Sequence, residues 1–473
     1  MMRLSFSFAC LFSLCLAFLI AHIGGASAQT VQPANSLDLR ATYAPVVERA
    51  SPAVVNIYTK KVVTQRMRSV FDDPFFRDFF GTPNRGQSRQ RVQSSLGSGV
   101  IVDASGIVVT NNHVIENTDE IKVVLTDRRE FEAEVLLTDP QTDLAILRIE
   151  VKEELPHLSF ADSDTAAVGD IVLAIGNPFG VGQTVTSGIV SALSRTAASI
   201  SDFQFFIQTD AAINPGNSGG ALVDVDGNLL GVNTAIYSRS GGSNGIGFAI
   251  PGNLVRKVVS SAIGGDMVVR RPWLGVQGSM VDSNIASAVG LDRPVGAIIS
   301  DIFPKGPADK AGMKEGDVVL SIAGQDVFDV GALRYRPATR EAGEVVDVTL
   351  LRDGKEKTVR VRLAYPPETP KRDETTLSGN HPLSGVTIAN LSPALAEELG
   401  RSPMGTGVVI TETAPGTLAQ RYRLGRNLII LSINGTETKS VRDVEKALSQ
   451  PSRLFVLRVV TPRGRISTLR IGM

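Results

Sequence analysis

Between Val54 and Ala249 the chain is a succession of short β-branched runs separated by turn residues, and this limits the fold more than any other feature. Val100-Ile101-Val102, Ile107-Val108-Val109 and residues 121–125, 144–149, 171–175 and 229–232 each hold enough β-branched surface for one strand. Asp103-Ala104-Ser105-Gly106 and residues 224–228 supply turn chemistry between pairs of them. A parallel sheet needs a crossover helix between neighbouring strands, and no helical pattern of about ten residues separates these runs. The expected fold is mainly β: a double antiparallel β-barrel of the chymotrypsin-like kind, followed by two small α+β units.

The later units are read from an internal echo. After one helical segment, residues 254–263, closed by Gly264-Gly265, the motif Gly296-Ala297-Ile298-Ile299 with Leu320-Ser321-Ile322-Ala323-Gly324 appears. Gly407-Val408-Val409-Ile410 and Leu431-Ser432-Ile433-Asn434-Gly435 repeat it at the same spacing. Between them lies Pro366-Pro367-Glu368-Thr369-Pro370-Lys371-Arg372-Asp373-Glu374, with the composition of a linker. The expected layout is a first domain at 29–265 with a polar insertion at 60–95, small units at 266–365 and 383–473, and a linker at 366–382. The insertion carries an aromatic cluster, Phe71, Phe75, Phe76, Phe79 and Phe80, flanked by charges, which fits a docking loop better than a barrel strand.

Residues 1–28 stand apart from the fold. Met1-Met2-Arg3, an apolar run at 4–20 and the small-x-small Ala26-Ser27-Ala28 form a cleavable export signal; an uncleaved anchor is the competing reading. Cys10 and Cys15 both lie in that segment, and no Cys/His cluster occurs, so neither a disulfide framework nor a metal site nor a cofactor is expected. Lys+Arg and Asp+Glu are both 48, and this balance offers no net field to attract nucleic acid.

The chemistry gathers on few residues. Gly216-Asn217-Ser218-Gly219-Gly220 sets a serine among glycines, where backbone N–H groups can turn toward an oxyanion. Gly241-Gly242-Ser243-Asn244-Gly245 matches equally well, so a base must discriminate. Of the four histidines, His22 lies in the export signal, His157 follows Pro156 and His381 borders the linker; His113 alone directly follows a strand. Asp143, at the mouth of the apolar strand 144–149, is the preferred acid to orient the imidazole; Asp139 and Asp210 are alternatives. The order His, Asp, Ser is that of two-barrel serine proteases, whereas an α/β-hydrolase esterase requires Ser first.

Asn111-Asn112-His113-Val114, Thr142-Asp143-Leu144-Ala145 and the stretch 207–222, which includes Asp210-Ala211-Ala212-Ile213-Asn214-Pro215-Gly216-Asn217-Ser218-Gly219-Gly220, closely resemble the Deg/HtrA serine proteases. The resemblance implies Ser218 as nucleophile, His113 as base, Asp143 as orienting acid, and an oxyanion hole at Gly216, Asn217 and Ser218. It implies substrate contacts at Ala212, Ile213, Asn233, Thr234, Ala235 and Ile236, and a regulatory relay at Arg195. The two C-terminal units resemble PDZ domains, with Leu274-Gly275-Val276 capturing a peptide's terminal carboxylate and Leu383-Ser384-Gly385-Val386 as the second counterpart. Such proteins are ATP-independent exported endoproteases of unfolded or misfolded envelope proteins. Implied partners are unfolded substrates, C-terminal peptides, further copies in a homotrimer or larger cage, and the membrane surface peripherally; a non-proteolytic chaperone is the alternative. Two departures bear on the PDZ units. Pro337 falls where the peptide-lining helix should continue and is expected to shorten it. Gly425-Arg426-Asn427-Leu428 replaces Glu315-Gly316-Asp317-Val318 in the second unit, which points to a packing module there.

Overall fold

The computed structural model describes residues 42–63, 91–177, 182–195, 205–214, 216–236, 243–462 and 464–473. The export signal and the phenylalanine cluster at 71–80 lie outside the described residues.

The first barrel is built from β1 (Val54–Val63), β2 (Arg91–Asp103), β3 (Ile107–Asn111), β4 (Glu120–Val124), β5 (Glu130–Asp139) and β6 (Leu144–Ile149). Its order, β1-β2-β3-β6-β5-β4, closes through antiparallel pairing of β1 with β4. Every residue of β3 is buried, because a strand in the middle of this barrel has the core on one face and packed neighbours on the other. β1 and β2 stay paired from Val54 opposite Val100 to Val63 opposite Arg91, so the ends of the stretch 60–95 are strand rather than insertion. After Asn111 the chain makes one helical turn, α1 (Asn112–Ile115).

The second barrel comprises β7 (Ile171–Gly176), β8 (Thr184–Arg195), β9 (Phe206–Thr209), β10 (Ala221–Val223), β11 (Leu229–Ile236) and β12 (Gly247–Pro251), closed in the order β10-β11-β12-β9-β8-β7. Closure pairs each strand with a neighbour on both sides over the barrel's middle. Helix α2 (Gly252–Ile263) buries Leu254, Val255, Val258, Val259 and Ala262, the spacing of one helical face, against β5, β6 and β11. It thereby bridges the two barrels.

The two later sheets follow one path. The first has β13 (Val276–Met280), β14 (Ala297–Ile302), β15 (Val318–Ile322), β16 (Gln325–Asp326), helix α3 (Val330–Ala338), β17 (Val345–Arg352) and β18 (Lys355–Arg362). In the second, β19 (Thr375–Thr376) precedes β20 (Val386–Asn390), helix α4 (Pro393–Glu398), β21 (Val408–Thr413), β22 (Ile429–Ile433), β23 (Thr436–Glu437), helix α5 (Val441–Leu448), β24 (Leu454–Val460) and β25 (Ile466–Gly472). Their orders are β13-β14-β15-β17-β18 and β19-β20-β21-β22-β24-β25, so β19 has no counterpart in the first. The residues expected to be a free linker therefore contribute a strand.

Pro337 does not shorten α3, contrary to the expectation from sequence. It is the penultimate residue of that nine-residue helix, and the equivalent α5, without proline, has eight. Pro337 removes one N–H from the last turn of α3, yet the helix is no shorter than its counterpart. α3 docks on the protease domain: Tyr335, wholly buried, stacks on Phe205 with ring centroids 3.7 Å apart, and Arg336 Nη1 is 2.7 Å from Asp164 Oδ1. Burial pushes the pKa of the Tyr335 hydroxyl up.

Candidate active site

The end of β3 brings His113 to the junction of the barrels. Val114 and Ile115 bury into the core and fix the turn, while His113 stays exposed. Asp143 enters from the turn between β5 and β6 with φ of 61°, a left-handed conformation that Asp adopts more readily than most residues. Its carbonyl accepts from Asn112 N and from Asn111 Nδ2, both at 3.0 Å. Its Oδ1 accepts from His113 N at 3.0 Å, and its Oδ2 lies 2.7 Å from His113 Nδ1. With Nδ1 bound to a carboxylate, the network places the ring proton there and leaves Nε2 as the free base.

Thr234 joins the two barrels at this point. Its hydroxyl donates to Asp143 Oδ2 at 2.7 Å, and its carbonyl accepts from the Ser218 hydroxyl at 3.1 Å. The serine hydroxyl is thus held by Thr234, and no hydrogen bond links it to His113 among the described residues. Asp139 does not serve the imidazole: its carboxylate takes the Thr142 hydroxyl and Arg271. Asp210 accepts from Ile189 N at 2.7 Å. His157 and His381 bond to the carbonyls of Leu155 and Ser378, and burial lowers the pKa of His381.

The turn carrying Ser218 is clamped by the first barrel. Ser98 N donates to Ser218 O at 2.9 Å, and Ser98 Oγ donates to Gly216 O at 2.6 Å. Gly219 has φ of 81°, and a Cβ there would lie 2.1 Å from Ser98 O, so only glycine fits. The N–H groups of Gly216 and Ser218 donate to no protein group among the described residues, which leaves two donors for an oxyanion. Asn217 is a spacer and not a donor: its N–H goes to Asn214 O at 2.9 Å and its side chain is wholly buried.

The expected substrate contacts divide. Ile213, 1% exposed, packs in the second barrel's core; Ala212 is half-buried, its carbonyl held by Thr186 Oγ1 at 2.8 Å. Asn233 is also committed internally, its N–H to Gly220 O, its carbonyl to Gly219 N and its Nδ2 to Ala221 O. Thr234 is a bulge, and Ala235 and Ile236 pair by backbone with β12 beyond the last residue that pairs with β10. The side chains of Ala235 and Ile236 lie outside the described residues, as does that of Arg195, which ends β8 opposite Phe206. In the first later unit, the carbonyls of Leu274 and Gly275 accept from Ala308 N and Phe303 N, both at 2.8 Å, while their N–H groups donate to no protein group among the described residues. Gly275 has φ of 76° and leads into β13, whose other edge pairs with no strand among the described residues. Sequence reasoning places Thr234 only as a substrate contact and misses its grip on Asp143, 91 residues away. It misses Ser98 altogether, since nothing local marks a residue whose partners come from another barrel.

Residues 97–232 match the family model of a trypsin-like peptidase domain, and residues 272–363 match that of a PDZ domain. The chain is 42% identical over 433 residues to a probable periplasmic serine endoprotease DegP-like of Marinomonas sp. (strain MWYL1), covering 88% of this chain and 91% of that one. It is 37% identical over 467 residues to the periplasmic serine endoprotease DegP of Escherichia coli (strain K12), covering 94% and 95%. A solved structure of the HtrA-type protease AlgW with a decapeptide is 45% identical, covers 69% of this chain and 99% of its own, and superposes with a TM-score of 0.50.

Proposed function

The chain belongs to the Deg/HtrA family of periplasmic serine endoproteases, and on that basis we propose that His113, Asp143 and Ser218 are its catalytic triad and that it degrades unfolded or misfolded envelope proteins. The observation that carries the assignment is the 2.7 Å contact of His113 Nδ1 with Asp143 Oδ2, on the same Thr234 that holds the Ser218 hydroxyl. For catalysis the serine hydroxyl must leave the Thr234 carbonyl and donate to His113 Nε2, a change of side-chain rotamer. Ser218 Oγ then attacks the scissile carbonyl carbon while Nε2 takes its proton, and the N–H groups of Gly216 and Ser218 hold the oxyanion. The proton passes from Nε2 to the leaving amine as the C–N bond breaks. Water, deprotonated by the same nitrogen, cleaves the acyl ester and restores the serine. Acyl transfer to the serine followed by hydrolysis of the ester sums to hydrolysis of the peptide bond, and neither chemical step consumes a nucleotide.

Substrates with Val, Ala or Ile before the scissile bond fit the apolar surroundings of Ala212, where an unpaired basic side chain would be costly to bury. Control by the first PDZ domain is supported by the packing of Tyr335 on Phe205, which ends the segment that starts after Arg195. A peptide added to β13 would press on α3 and thus on Phe205, and Arg195 would pass the effect toward the triad. Assembly into a homotrimer or larger cage is assigned to the phenylalanine-rich insertion. Ser218→Ala tests the core of this reading: casein cleavage should fall about 10⁴–10⁶-fold with folding and size unchanged. Retention of several per cent of wild-type activity by a clean preparation overturns it, and leaves a chaperone without proteolysis.

A further inference from the structure

The turn that presents Asp143 is gripped from outside its own barrel. Asp139 closes β5 and is 5% exposed, and Thr142, 1% exposed, donates its hydroxyl to Asp139 Oδ2. The same carboxylate oxygen accepts from Arg271 Nη2, and Arg271 is 2% exposed. Arg271 lies between α2 and β13, on the stretch that joins the protease domain to the first PDZ domain. Gln141, in the same turn, donates its Nε2 to the backbone carbonyl of Glu397 in the second PDZ-like domain. The turn is therefore anchored at its entry by Arg271 and at its exit by Asn111 and Asn112.

This arrangement matters because Asp143 sits at φ of 61°. Such backbone persists only where the surroundings over-determine it. A buried carboxylate such as Asp139 stays in place only with its cation, so its position and that of Arg271 are coupled. Two hydrogen-bonded steps connect Arg271 to the residue before Asp143: Arg271 to Asp139, and Asp139 to Thr142.

We infer that Arg271 is a positioning residue for peptide hydrolysis, holding the turn between β5 and β6 through Asp139 and Thr142 so that Asp143 meets His113. The inference rests on the triad proposed above. It gives the boundary of the first PDZ domain a direct mechanical hold on the catalytic acid, separate from the contact of Tyr335 with Phe205.

The test uses the full chain with Arg271→Met, Arg271→Lys and Thr142→Val, assayed on a short chromogenic peptide and by the rate of serine labelling with a fluorophosphonate. In R271M kcat and the labelling rate should fall at least about tenfold with KM within about twofold, the pattern of a misplaced catalytic group. R271K, which keeps the charge, should recover to within about threefold of wild type, and T142V should lose about threefold or more in kcat. Folded R271M with wild-type kcat and labelling overturns the inference, as does a loss in R271K equal to that in R271M with KM raised in parallel. If R271M fails to fold, T142V decides: wild-type kcat in folded T142V overturns the inference, and the stated loss supports it. Failure of the triad itself would appear separately, as cleavage retained by Ser218→Ala or Asp143→Asn. With both inactive and R271M and T142V unimpaired, only the role of Arg271 falls.

Discussion

Among the described residues, β13 of the first PDZ domain is paired only with β14, whereas in the second PDZ-like unit the equivalent β20 has a neighbour on both sides. The second neighbour is the chain's own linker. Asn390 N donates to Arg372 O at 2.6 Å, Asn390 Nδ2 to Lys371 O at 2.8 Å and Leu377 N to Val386 O at 2.9 Å, with β19 in register between them. Arg372 pins the segment through ion pairs to Glu368 and Glu398, which raise its pKa. A peptide that binds by strand addition needs this edge, and a tethered occupant competes at high effective concentration. The two units thus share a fold while, among the described residues, only the first leaves this strand edge open, and the difference comes from residues outside the repeated motif.

Closing the first groove should abolish this contrast with the largest effect. A Cβ on Gly278 of β13 would lie 2.9 Å from Leu333 Cδ2 of α3, so Gly278→Val should fill the space between strand and helix. A peptide with an apolar free C-terminus should bind the wild type at roughly micromolar Kd and the variant about 100-fold more weakly. Titration calorimetry, with the fluorescence of Trp273 beside the groove loop, reads both; binding that survives at wild-type strength would place the site in the second unit.

A second effect concerns how the second unit is seated. Glu397, at the end of α4, has its pKa pushed up to about 7, mainly by burial; Asp139 and Glu398 add to the rise while Arg271 and Arg334 oppose it. Because the folded pKa lies above the ordinary 4.5, the folded state favours the protonated acid. The contribution of Glu397 to stability is then full below pH 4.5 and is lost as pH rises through about 7. Glu397→Gln, which stays neutral, should match the wild type in thermal midpoint at acid pH and exceed it by several degrees at pH 8, an order-of-magnitude expectation for a change of up to about 3 kcal/mol. Parallel Tm-against-pH curves for the two proteins would contradict this.

Smaller effects test the clasp and the proline. Arg372→Ala removes two partly exposed ion pairs, about 1 kcal/mol, so the amides of residues 375–377 should exchange about fivefold faster. Unchanged exchange would mean that the backbone bonds alone hold the linker on β20. Pro337→Ala should change peptide affinity less than about twofold, since α3 already runs to Ala338 with the proline in place. A larger gain would revive the idea of a groove limited by a short helix.

Much of the first barrel and its site is legible in the amino-acid sequence. The β-branched runs at 100–102, 107–109 and 144–149 are strands of the first barrel, because a half-buried or buried strand selects those side chains locally. His113 stands out as the histidine directly after a strand, and the structure sets it against Asp143. Ile213 packs in the second barrel's core and Asn233 bonds internally, which the sequence does not mark, since an apolar or amide side chain beside an active-site motif looks the same whether it faces the core or the cleft. Pro337 misleads because its cost depends on where the helix ends, and α3 ends one residue after it.

The alternation of strands and turns, the order His, Asp, Ser, and the repeat of the two small units follow from sequence alone, because each is written in neighbouring residues and their spacing. Sequence and resemblance already favoured Asp143 over Asp139, but the physical difference between them needed the folded chain, where one is bound to His113 and the other to Arg271. So did the ties that Thr234 and Ser98 make between the barrels at the serine, and the seating of residues 371–377 on the edge of β20. Those outcomes depend on which surfaces meet across segments far apart in the chain. Two aspartates in one turn are chemically alike until the fold gives one an imidazole and the other a guanidinium.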